Sequence, residues 1–348
     1  MSNFKLCGEH YIKRIKTAGL PVIIYGMGNG ADKVIDLFEQ NGIKIAGVTA
    51  SDDFVRGQTF RGFKVKRLSE FDGEFIIAPS FGTCIKSVMQ HIIDLSKLFN
   101  VIYPSVPVIG EETADDIFFE RNYDKINKAY SLFSEGSKKI FTGCMNFIYT
   151  GDLSYLLDIT TEKSEIFTDF LKPDGSGTYI DIGAYRGETV EEYLKYTSGK
   201  YERIIAAEPD PKSFKKLKER FGEYSGIILT DRVCSDKAKT VYFDSLSGRQ
   251  SRISGSGKPA QTFSIDEIAC EYDVSYIKID AEGSEIEILK GAENIIKRCK
   301  PRLNTALYHR FRDYFEIPLQ IMEYRDDYEF EIRHHPYFPC WDTNLYCR

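Results

Sequence analysis

Acidic residues follow several apolar, strand-like runs in the second half of this chain. Asp181 ends the run "TYID", Glu208 ends "RIIAAE", and Asp236 comes just after "VCS". Asp280 and Glu282 follow "VSYIKI" in the same way. In an open α/β sheet, ligands bind outside the carboxyl ends of the strands, so these carboxylates are expected at one sheet edge. Carboxylates there can accept hydrogen bonds from sugar hydroxyls, balance a cation or take up a proton.

A glycine turn follows the first of these strands, in the stretch "YIDIGAYRGETV" (179–190). Dinucleotide-binding turns favour G-x-G-x-x-G, in which the start of the helix receives a pyrophosphate. Here the pattern is D-x-G-x-x-x-G, and the carboxylate of Asp181 would repel a phosphate but suits a cation. A ligand that combines adenosine, a sulfonium and an amino acid fits such a turn, which predicts S-adenosylmethionine. The contacts predicted from this turn are Asp181, Gly183, Ala184, Tyr185, Gly187 and Thr189.

The later strand ends are assigned to other parts of the same cofactor. Glu208 lies 25 residues after Gly183, near the offset of about 20 residues expected of an acid that binds the ribose hydroxyls. The third strand end is placed near the adenine, and Asp280 and Glu282 near the methyl group. The contacts predicted from these strand ends are Glu208, Pro209, Asp210, Cys234, Ser235, Asp236 and Asp280.

Each of these features alone has a simpler explanation. The D-x-G-x-x-x-G pattern can be only a strand-to-helix turn, and Glu208 can be an anion favoured at the start of a helix. Asp280 and Glu282 can cap the helix that begins near Ser284. The ordered set, at the ends of successive strands, favours the cofactor site.

Six stretches of the second half carry a family resemblance. They are "YIDIGAYRGETV", "AAEPDP", "TFSIDEI", "YIKIDAEGSEIEILKGAENII", "PRLNTALYH" and "EIRHHPYFPCWDTNLYC". With them, residues 166–348 resemble the FkbM-type family of S-adenosylmethionine-dependent methyltransferases. The resemblance implies methyl transfer, most often to a hydroxyl oxygen, on substrates that include sugars and polyketides. The expected acceptor is therefore a saccharide or another small hydroxylated metabolite.

Transfer to a hydroxyl requires a general base near the methyl group, because the oxygen loses its proton as it attacks. The predicted catalytic residues are Asp280, Glu282 and His309, the last at the end of "LNTALYH". Imidazole has an ordinary pKa near neutrality, which suits a base. The alternative is that His309 only shapes the pocket or pairs with a carboxylate. His334 and His335 either border the substrate or serve packing.

No metal site is predicted. Asp280 and Glu282 alternate along a strand end, so they would not face one ion without a bend. Zinc ligands usually lie two to four residues apart, and the eight cysteines include no close-spaced pair.

A second glycine turn, "IIYGMGNGADKV" (23–34), lies far upstream. It matches an accepted variant of the dinucleotide fingerprint, but Thr49 to Ser51 stand where the ribose acid is expected. Residues 20–105 resemble small Rossmann-like domains attached to enzymes of surface-polysaccharide and nucleotide-sugar metabolism. The resemblance implies a domain that holds a sugar or nucleotide part of the acceptor, or that docks a partner enzyme. A purely structural or dimerising domain is the alternative.

Two other functions stay open. A nicotinamide-dependent oxidoreductase or epimerase of nucleotide sugars would use the upstream turn. Tyr196 and Lys200 have the Tyr-x-x-x-Lys spacing of such enzymes, although in the other domain. A non-catalytic binding module of a glycan assembly system is the other alternative, and the acids at the strand ends speak against it.

Alternating strand and helix patterns predict an α/β chain with two Rossmann-like units. The C-terminal unit is expected to have a class I methyltransferase fold, with a mostly parallel sheet and an appended antiparallel strand pair. The predicted domains are 1–108, a helical connector at 109–170 and a methyltransferase domain at 171–348. The stretches "TFSIDEIACEY" and "SEIEILKGAENIIKRC" are each predicted as one helix, and "GIILTDRVCS" and "TVYFDS" each as one strand.

The composition is that of an ordinary globular protein, with 348 residues and 42% hydrophobic content. A net charge of -6 argues against a dedicated nucleic-acid binder, which would carry a basic surface. No apolar run is long enough to span a membrane, and no secretory signal opens the chain. Scattered thiols then predict a reduced, cytoplasmic protein, for which a homodimer stays open.

Overall fold

Strands and helices alternate along most of the chain in the computed structural model, which describes residues 3–244, 252–254 and 258–348. The chain divides into two units, each assembled from separate stretches. The first contains Met1–Asn127, Lys138–Thr161 and His334–Asp342, and the second contains Lys128–Ser137, Glu162–Arg333 and Thr343–Arg348. The stretch 109–170, expected as a helical connector, is largely helical and contributes to both units.

A six-stranded sheet forms the centre of the first unit, in the order β3-β4-β2-β1-β5-β6. Its strands are β1 Val22–Tyr25, β2 Ile45–Thr49, β3 Thr59–Phe60, β4 Phe63–Lys66, β5 Ile76–Pro79 and β6 Asn100–Val101. All neighbours are parallel except β3, which forms an antiparallel hairpin with β4. All four residues of β1 are buried, as expected of a parallel strand covered on both faces.

The helices of the first half pack on this sheet through apolar faces. They are α1 Tyr11–Ala18, α2 Asn29–Gln40 and α3 Lys86–Leu98. In α2, Val34, Ile35 and Phe38 share one face at helical spacing and join the buried cluster that contains Ile24 and Val48 of the sheet.

The helical stretch that follows contains α4 Asp116–Leu132, α5 Glu135–Thr150, α6 Ser154–Leu157 and α7 Lys163–Glu165, and then a π-helical segment at Ile166–Leu171. Among the helices that the structure describes, none is both long and apolar enough to cross a membrane. No disulfide joins the eight cysteines, all of which lie in the described residues.

A seven-stranded sheet forms the centre of the second unit, in the order β16-β17-β15-β14-β7-β8-β9. Its strands are β7 Thr178–Ile182, β8 Arg203–Ala207, β9 Ile227–Thr230, β14 Val274–Ile279, β15 Arg302–Ala306, β16 Phe330–His334 and β17 Thr343–Cys347. The five strands from β15 to β9 are parallel, and β17 is antiparallel to β15. The predicted α/β class is therefore confirmed, including a mostly parallel sheet with appended strands. The carboxyl ends of the parallel strands meet at one edge, which positions the site.

A smaller four-stranded sheet, in the order β10-β13-β11-β12, accounts for two errors of the sequence prediction. Its strands are β10 Val233–Cys234, β11 Thr240–Asp244, β12 Arg252–Ser254 and β13 Lys258–Phe263. The stretch "GIILTDRVCS" is two strands and not one, because Val233 and Cys234 leave the main sheet and pair with Thr262 and Phe263. Those two partners belong to β13, so the predicted helix "TFSIDEIACEY" is wrong at its start. The strand "TVYFDS" is confirmed to Asp244, and its last residue lies outside the described residues.

The helices of the second unit are α8 Glu188–Tyr196, α9 Pro211–Phe221, α10 Ile265–Ile268, α11 Glu285–Lys290, α12 Glu293–Cys299 and α13 Asp313–Tyr324. The single helix predicted for "SEIEILKGAENIIKRC" is two helices, α11 and α12. The chain breaks at Gly291, whose carbonyl accepts the N–H of Asp266. A β-carbon on Gly291 would lie 2.3 Å from the carbonyl oxygen of Ser235, so this close approach requires glycine.

Candidate active site

The glycine turn after β7 lies directly against the end of β14. Gly183 has φ 78°, and a β-carbon there would lie 1.9 Å from the carbonyl oxygen of Asp280. The N–H groups of Gly183 and Ala184 both donate to the carbonyl of Ala207 at the end of β8. Tyr185 also has a positive φ of 49°, which turns the chain toward α8. The turn is thus fixed on both sides by the neighbouring strands.

Gly187 stands directly before α8 for a packing reason. It is the residue before the helix, with φ 95°. A β-carbon there would lie 2.4 Å from the ring of Phe221 in α9, so glycine lets α8 and α9 approach each other. The second glycine of the D-x-G-x-x-x-G pattern therefore has a structural reason to be there.

Asp181 has its counter-charge inside the chain. Lys278 of β14 is its register partner in the sheet, and Lys278 Nζ lies 3.2 Å from Asp181 Oδ1. The Thr189 hydroxyl donates to the other carboxylate oxygen, and Asp181 is wholly buried. Burial opposes the charged ammonium, but Asp181 and then Asp280 outweigh it, so the pKa of Lys278 is raised. The argument that Asp181 needs a bound cation does not hold, because Lys278 supplies one.

Glu208 joins the end of β8 to the glycine turn. Its two carboxylate oxygens accept the N–H groups of Tyr185 and Asp210, at 2.9 and 2.8 Å. Burial raises the pKa of Glu208, against the effect of these two hydrogen bonds. A carboxylate has about four lone-pair positions, so two positions stay available for ligand hydroxyls. Glu208 thus stands at the end of β8 beside the glycine turn, and its role as the ribose acid stays a prediction.

The other residues predicted near the adenosine make local contacts. Asp210 caps α9, where its side chain accepts the N–H of Ser213, and Pro209 is half-buried beside it. Burial raises the pKa of the Cys234 thiol. Asp236 accepts the Ser235 hydroxyl at 3.0 Å, and Lys239, 2.5 Å away, lowers the pKa of Asp236. Cys234 is the last residue of β10 in the four-stranded sheet, so Ser235 and Asp236 follow a strand of that sheet and not of the main sheet.

A cluster around His309 stands at the ends of β14 and β15. Its ring is wholly buried, and Nε2 lies 3.6 Å from Asp280 Oδ1 and 3.6 Å from Glu282 Oε2. The strand β14 ends at Ile279, and Glu282 has φ 48°, so the chain bends after the strand. The bend lets both carboxylates face His309 Nε2, which straight alternation along a strand would not allow. All three predicted catalytic side chains lie together.

Three residues that the sequence analysis missed support this cluster. Glu285 Oε1 lies 2.9 Å from His309 Nδ1 and accepts the N–H groups of Ala281 and Gly283. The Tyr308 hydroxyl donates to Asp280 Oδ1 at 2.9 Å. Asp313 is buried and accepts the N–H of Arg310. The one signal in the sequence for these residues was Glu285 at the end of "DAEGSE". Nothing else in the sequence pairs the three residues with His309.

The charges in this cluster shift one another strongly. Burial disfavours the charged imidazole, but Glu285, and after it Glu282 and Asp280, raise the pKa of His309 to about 10. Burial disfavours the charged Glu285, but His309 lowers its pKa overall. Burial, and then Glu285, raise the pKa of Asp313 to about 8. Near neutrality the ring is therefore an imidazolium among carboxylates, and it cannot accept a proton in that form.

His334 and His335 belong to the first unit and not to this cluster. His334 is buried, and burial lowers its pKa to about 3. His335 Nδ1 lies 3.0 Å from the carbonyl of Thr161. Both histidines have the surroundings of packed residues.

The upstream glycine turn is tightly packed. A β-carbon on Gly30 would lie 2.1 Å from the carbonyl oxygen of Ser80 at the end of β5. The Tyr25 and Ser51 hydroxyls lie 2.8 Å apart where a ribose acid is expected in dinucleotide sites. In the other half, Tyr196 stacks on Phe167 with ring centroids 4.3 Å apart, as a packed aromatic residue does.

Comparison with known proteins finds similarity to methyltransferases. Residues 181–341 match the model of the methyltransferase FkbM domain. The chain is similar to the crystal structure of methyltransferase FkbM from Methylobacillus flagellatus KT, at 19% identity and a TM-score of 0.76. That likeness covers 99% of this chain and 94% of the other, and it confirms the predicted methyltransferase fold. No curated protein matches the chain.

Two further structures are similar to parts of the chain. An rRNA methylase from Streptococcus thermophilus has a TM-score of 0.34 at 14% identity, covering 54% of this chain and 95% of that one. Fibrillarin from Aeropyrum pernix, in complex with natively bound S-adenosyl-L-methionine, has a TM-score of 0.32 at 12% identity, covering 51% and 68%.

Proposed function

Residues 181–341 match the model of the methyltransferase FkbM domain, and from that match we propose that the protein transfers a methyl group from S-adenosylmethionine to a hydroxyl oxygen. The acceptor is a saccharide or another small hydroxylated metabolite. The observation that carries the proposal is the sheet edge where the Gly183 turn, Glu208 and the Asp280–Glu282–His309 cluster follow parallel strands. Methyl transfer to such an acceptor requires no membrane-spanning helix.

The residues at this edge fit S-adenosylmethionine. Gly183 lets the backbone approach closely, since no β-carbon fits there. Glu208 keeps two lone-pair positions after its two backbone hydrogen bonds, enough for a ribose diol. We propose that the other predicted contacts border the same ligand, namely Ala184, Tyr185, Gly187, Thr189, Pro209, Asp210, Cys234, Ser235 and Asp236. Asp181 acts indirectly, by holding Lys278 and Thr189 under the turn.

S-adenosylmethionine, when bound, supplies a methyl group attached to a sulfonium. After the transfer, the rest of the cofactor leaves as a neutral thioether. The chain must hold the acceptor oxygen in line with that group and take up its proton. Positioning of this kind can lower the barrier by about 7–11 kcal/mol in favourable cases. Asp280 and Glu282 are 36% and 24% exposed, whereas His309 has no exposed surface. We therefore place the two carboxylates against the acceptor and His309 behind them.

The rest of the chain is assigned with the same proposal. Residues 1–108 form an auxiliary Rossmann-like domain that holds a sugar or nucleotide part of the acceptor or docks a partner. Residues 109–170 form a helical connector, and residues 171–348 form the methyltransferase domain. We place the activity in the cytoplasm, which the eight thiols without disulfides support.

A methyl-transfer assay tests the proposal. The full-length protein is incubated with S-adenosylmethionine carrying a labelled methyl group and with monosaccharides and nucleotide sugars. The expected product is an O-methyl ether, located by nuclear magnetic resonance, together with S-adenosylhomocysteine. Label on nitrogen or carbon would contradict the hydroxyl assignment, and turnover of NAD in place of S-adenosylmethionine would favour the oxidoreductase.

A further inference from the structure

A buried glutamate, Glu285, lies against the bend that follows β14. It is the first residue of α11, and its side chain has no exposed surface. Its Oε1 accepts the N–H of Ala281 at 2.8 Å and the N–H of Gly283 at 3.3 Å. Glu282 lies between these two residues and has a φ of 48°, a backbone conformation that is uncommon for a residue other than glycine. One carboxylate oxygen thus holds the bend on both sides of Glu282.

The same oxygen faces the imidazole of His309. Glu285 Oε1 lies 2.9 Å from His309 Nδ1, and both side chains are wholly buried. Within the described residues neither ring nitrogen forms a hydrogen bond, so the contact between Glu285 and the ring is one of charge. Burial opposes a charge on either side chain, but their attraction outweighs it. The pKa of Glu285 is lowered, and that of His309 is raised to about 10.

We propose that Glu285 is a positioning residue for methyl transfer, which holds the His309 ring and the bend 281–283 against each other. Asp280 and Glu282 stand at this bend, and each has an oxygen 3.6 Å from His309 Nε2. The ring therefore has Glu285 on its Nδ1 side and two partly exposed carboxylates on its Nε2 side. Because Glu285 has no exposed surface, it acts on the acceptor only through these neighbours. This role rests on the proposed function, in which Asp280 and Glu282 face the acceptor.

Two further groups face the ring from other elements. Tyr308 lies next to it, with ring centroids 4.3 Å apart, and donates to Asp280 Oδ1. Asp313, the first residue of α13, is buried and accepts the N–H of Arg310. Burial, and then Glu285, raise the pKa of Asp313 to about 8, so this acid is mostly protonated at pH 7. Glu285 therefore supplies the negative charge on the Nδ1 side.

Nuclear magnetic resonance of protein labelled with ¹⁵N-histidine tests the charge on the ring without any assay of activity. The chain has five histidines, and the signals of His309 are those that His309→Gln lacks. We expect both ring nitrogens to be protonated at pH 8 in the unchanged protein. Glu285→Gln should lower the pH at which the ring titrates by about one unit or more, because the amide can accept the same N–H groups but carries no charge.

Glu287→Gln, which changes an exposed glutamate of the same helix, is the matched control and should leave the titration of His309 as it is. A neutral ring at pH 8 in the unchanged protein would overturn the proposal, and this result does not depend on the folding of any variant. Equal titration of His309 in Glu285→Gln and in the control would overturn it as well.

Kinetics separate positioning from a purely structural role. Glu285→Gln should lower kcat for methyl transfer by on the order of ten-fold or more, because the groups that face the acceptor are displaced. KM for S-adenosylmethionine should stay nearly unchanged, since Glu208 keeps its contacts. A change in KM alone, or no change in kcat, would contradict the positioning role. If the ring behaves as expected but the unchanged protein transfers no methyl group, only the proposed function fails. An active enzyme with a neutral ring refutes only the role of Glu285.

Discussion

Asp181 and Lys278 face each other in register on β7 and β14, with their charged atoms 3.2 Å apart and almost no exposed surface. The pair lies under the Gly183 turn, because Lys278 Nζ also donates to the carbonyl of Gly183 at 2.7 Å. The carboxylate that suggested a sulfonium-binding turn thus supports the turn from below.

Removing the lysine should destabilise the fold. Lys278→Met leaves the buried carboxylate of Asp181 without its cation, and such losses typically cost about 3–5 kcal/mol of unfolding free energy. Urea unfolding followed by circular dichroism measures the change. Adding Asp181→Asn to Lys278→Met should recover part of the loss, since no unpaired charge is then buried. Lys290→Met, which breaks an exposed pair with Glu287, is the control and should change stability little. Equal effects of both lysine replacements would contradict this description.

Glu208→Gln should weaken binding of S-adenosylmethionine by on the order of ten-fold or more, because a charge-assisted hydrogen bond to the ribose is lost. Calorimetric titration measures the affinity, and thermal unfolding checks that the variant is folded. Glu223→Gln changes an exposed glutamate and should leave the affinity as it is. If both variants bind equally well, the ribose lies elsewhere.

Gly183→Ala and Gly199→Ala form a matched pair, because both glycines have φ 78°. Alanine at Gly199 meets nothing within 4 Å and should cost only the backbone strain, about 1–2 kcal/mol. Alanine at Gly183 would place its β-carbon 1.9 Å from the carbonyl oxygen of Asp280. We expect a further loss of about 1–3 kcal/mol from this overpacking, and weaker S-adenosylmethionine binding. Similar unfolding free energies for the two variants would show that the turn can move away from β14.

His334 should make the protein less stable in acid. Its pKa is lowered to about 3 by burial, helped by His335 and opposed by Asp342 and a backbone hydrogen bond with Tyr337. An unfolded histidine titrates near pH 6.5, so the unfolded state binds one more proton between about pH 3 and 6.5. The unfolding free energy should therefore fall by roughly 2 kcal/mol from pH 7 to pH 5 on account of this residue.

Replacing His334 by glutamine removes this proton uptake. Urea unfolding at pH 7 and pH 5 should show a smaller loss for His334→Gln than for the unchanged protein, whatever its stability at pH 7. His91→Gln, at an exposed histidine, is the control. The same pH dependence in all three proteins would mean that His334 is protonated in the folded state.

Residue types and strand ends were enough to predict the sheet edge and the clustering of Asp280, Glu282 and His309. The charged partners of Asp181 and His309 were not predictable from the sequence. Lys278 meets Asp181 only through the register between two strands almost 100 residues apart. Glu285 meets His309 only because the chain bends at Glu282. The backbone of Glu282 has a positive φ, which its residue type does not predict. Pairing across long sequence separations is a property of the packed fold.

The errors of element prediction have the same origin. Helix periodicity runs through Gly291 without interruption, yet the backbone of Ser235 passes close by and α11 ends there. The stretch from Ile227 to Cys234 was predicted as one strand, although its last two residues pair in another sheet. Local pattern identifies the elements, and tertiary contacts decide where they stop.

Calorimetric titration of the full-length protein with S-adenosylmethionine, and in parallel with NAD, tests the central claim most directly. We expect one S-adenosylmethionine to bind per chain, with S-adenosylhomocysteine competing for the same site and NAD binding weakly if at all. A folded protein that binds no S-adenosylmethionine, or that binds NAD instead, would contradict the claim.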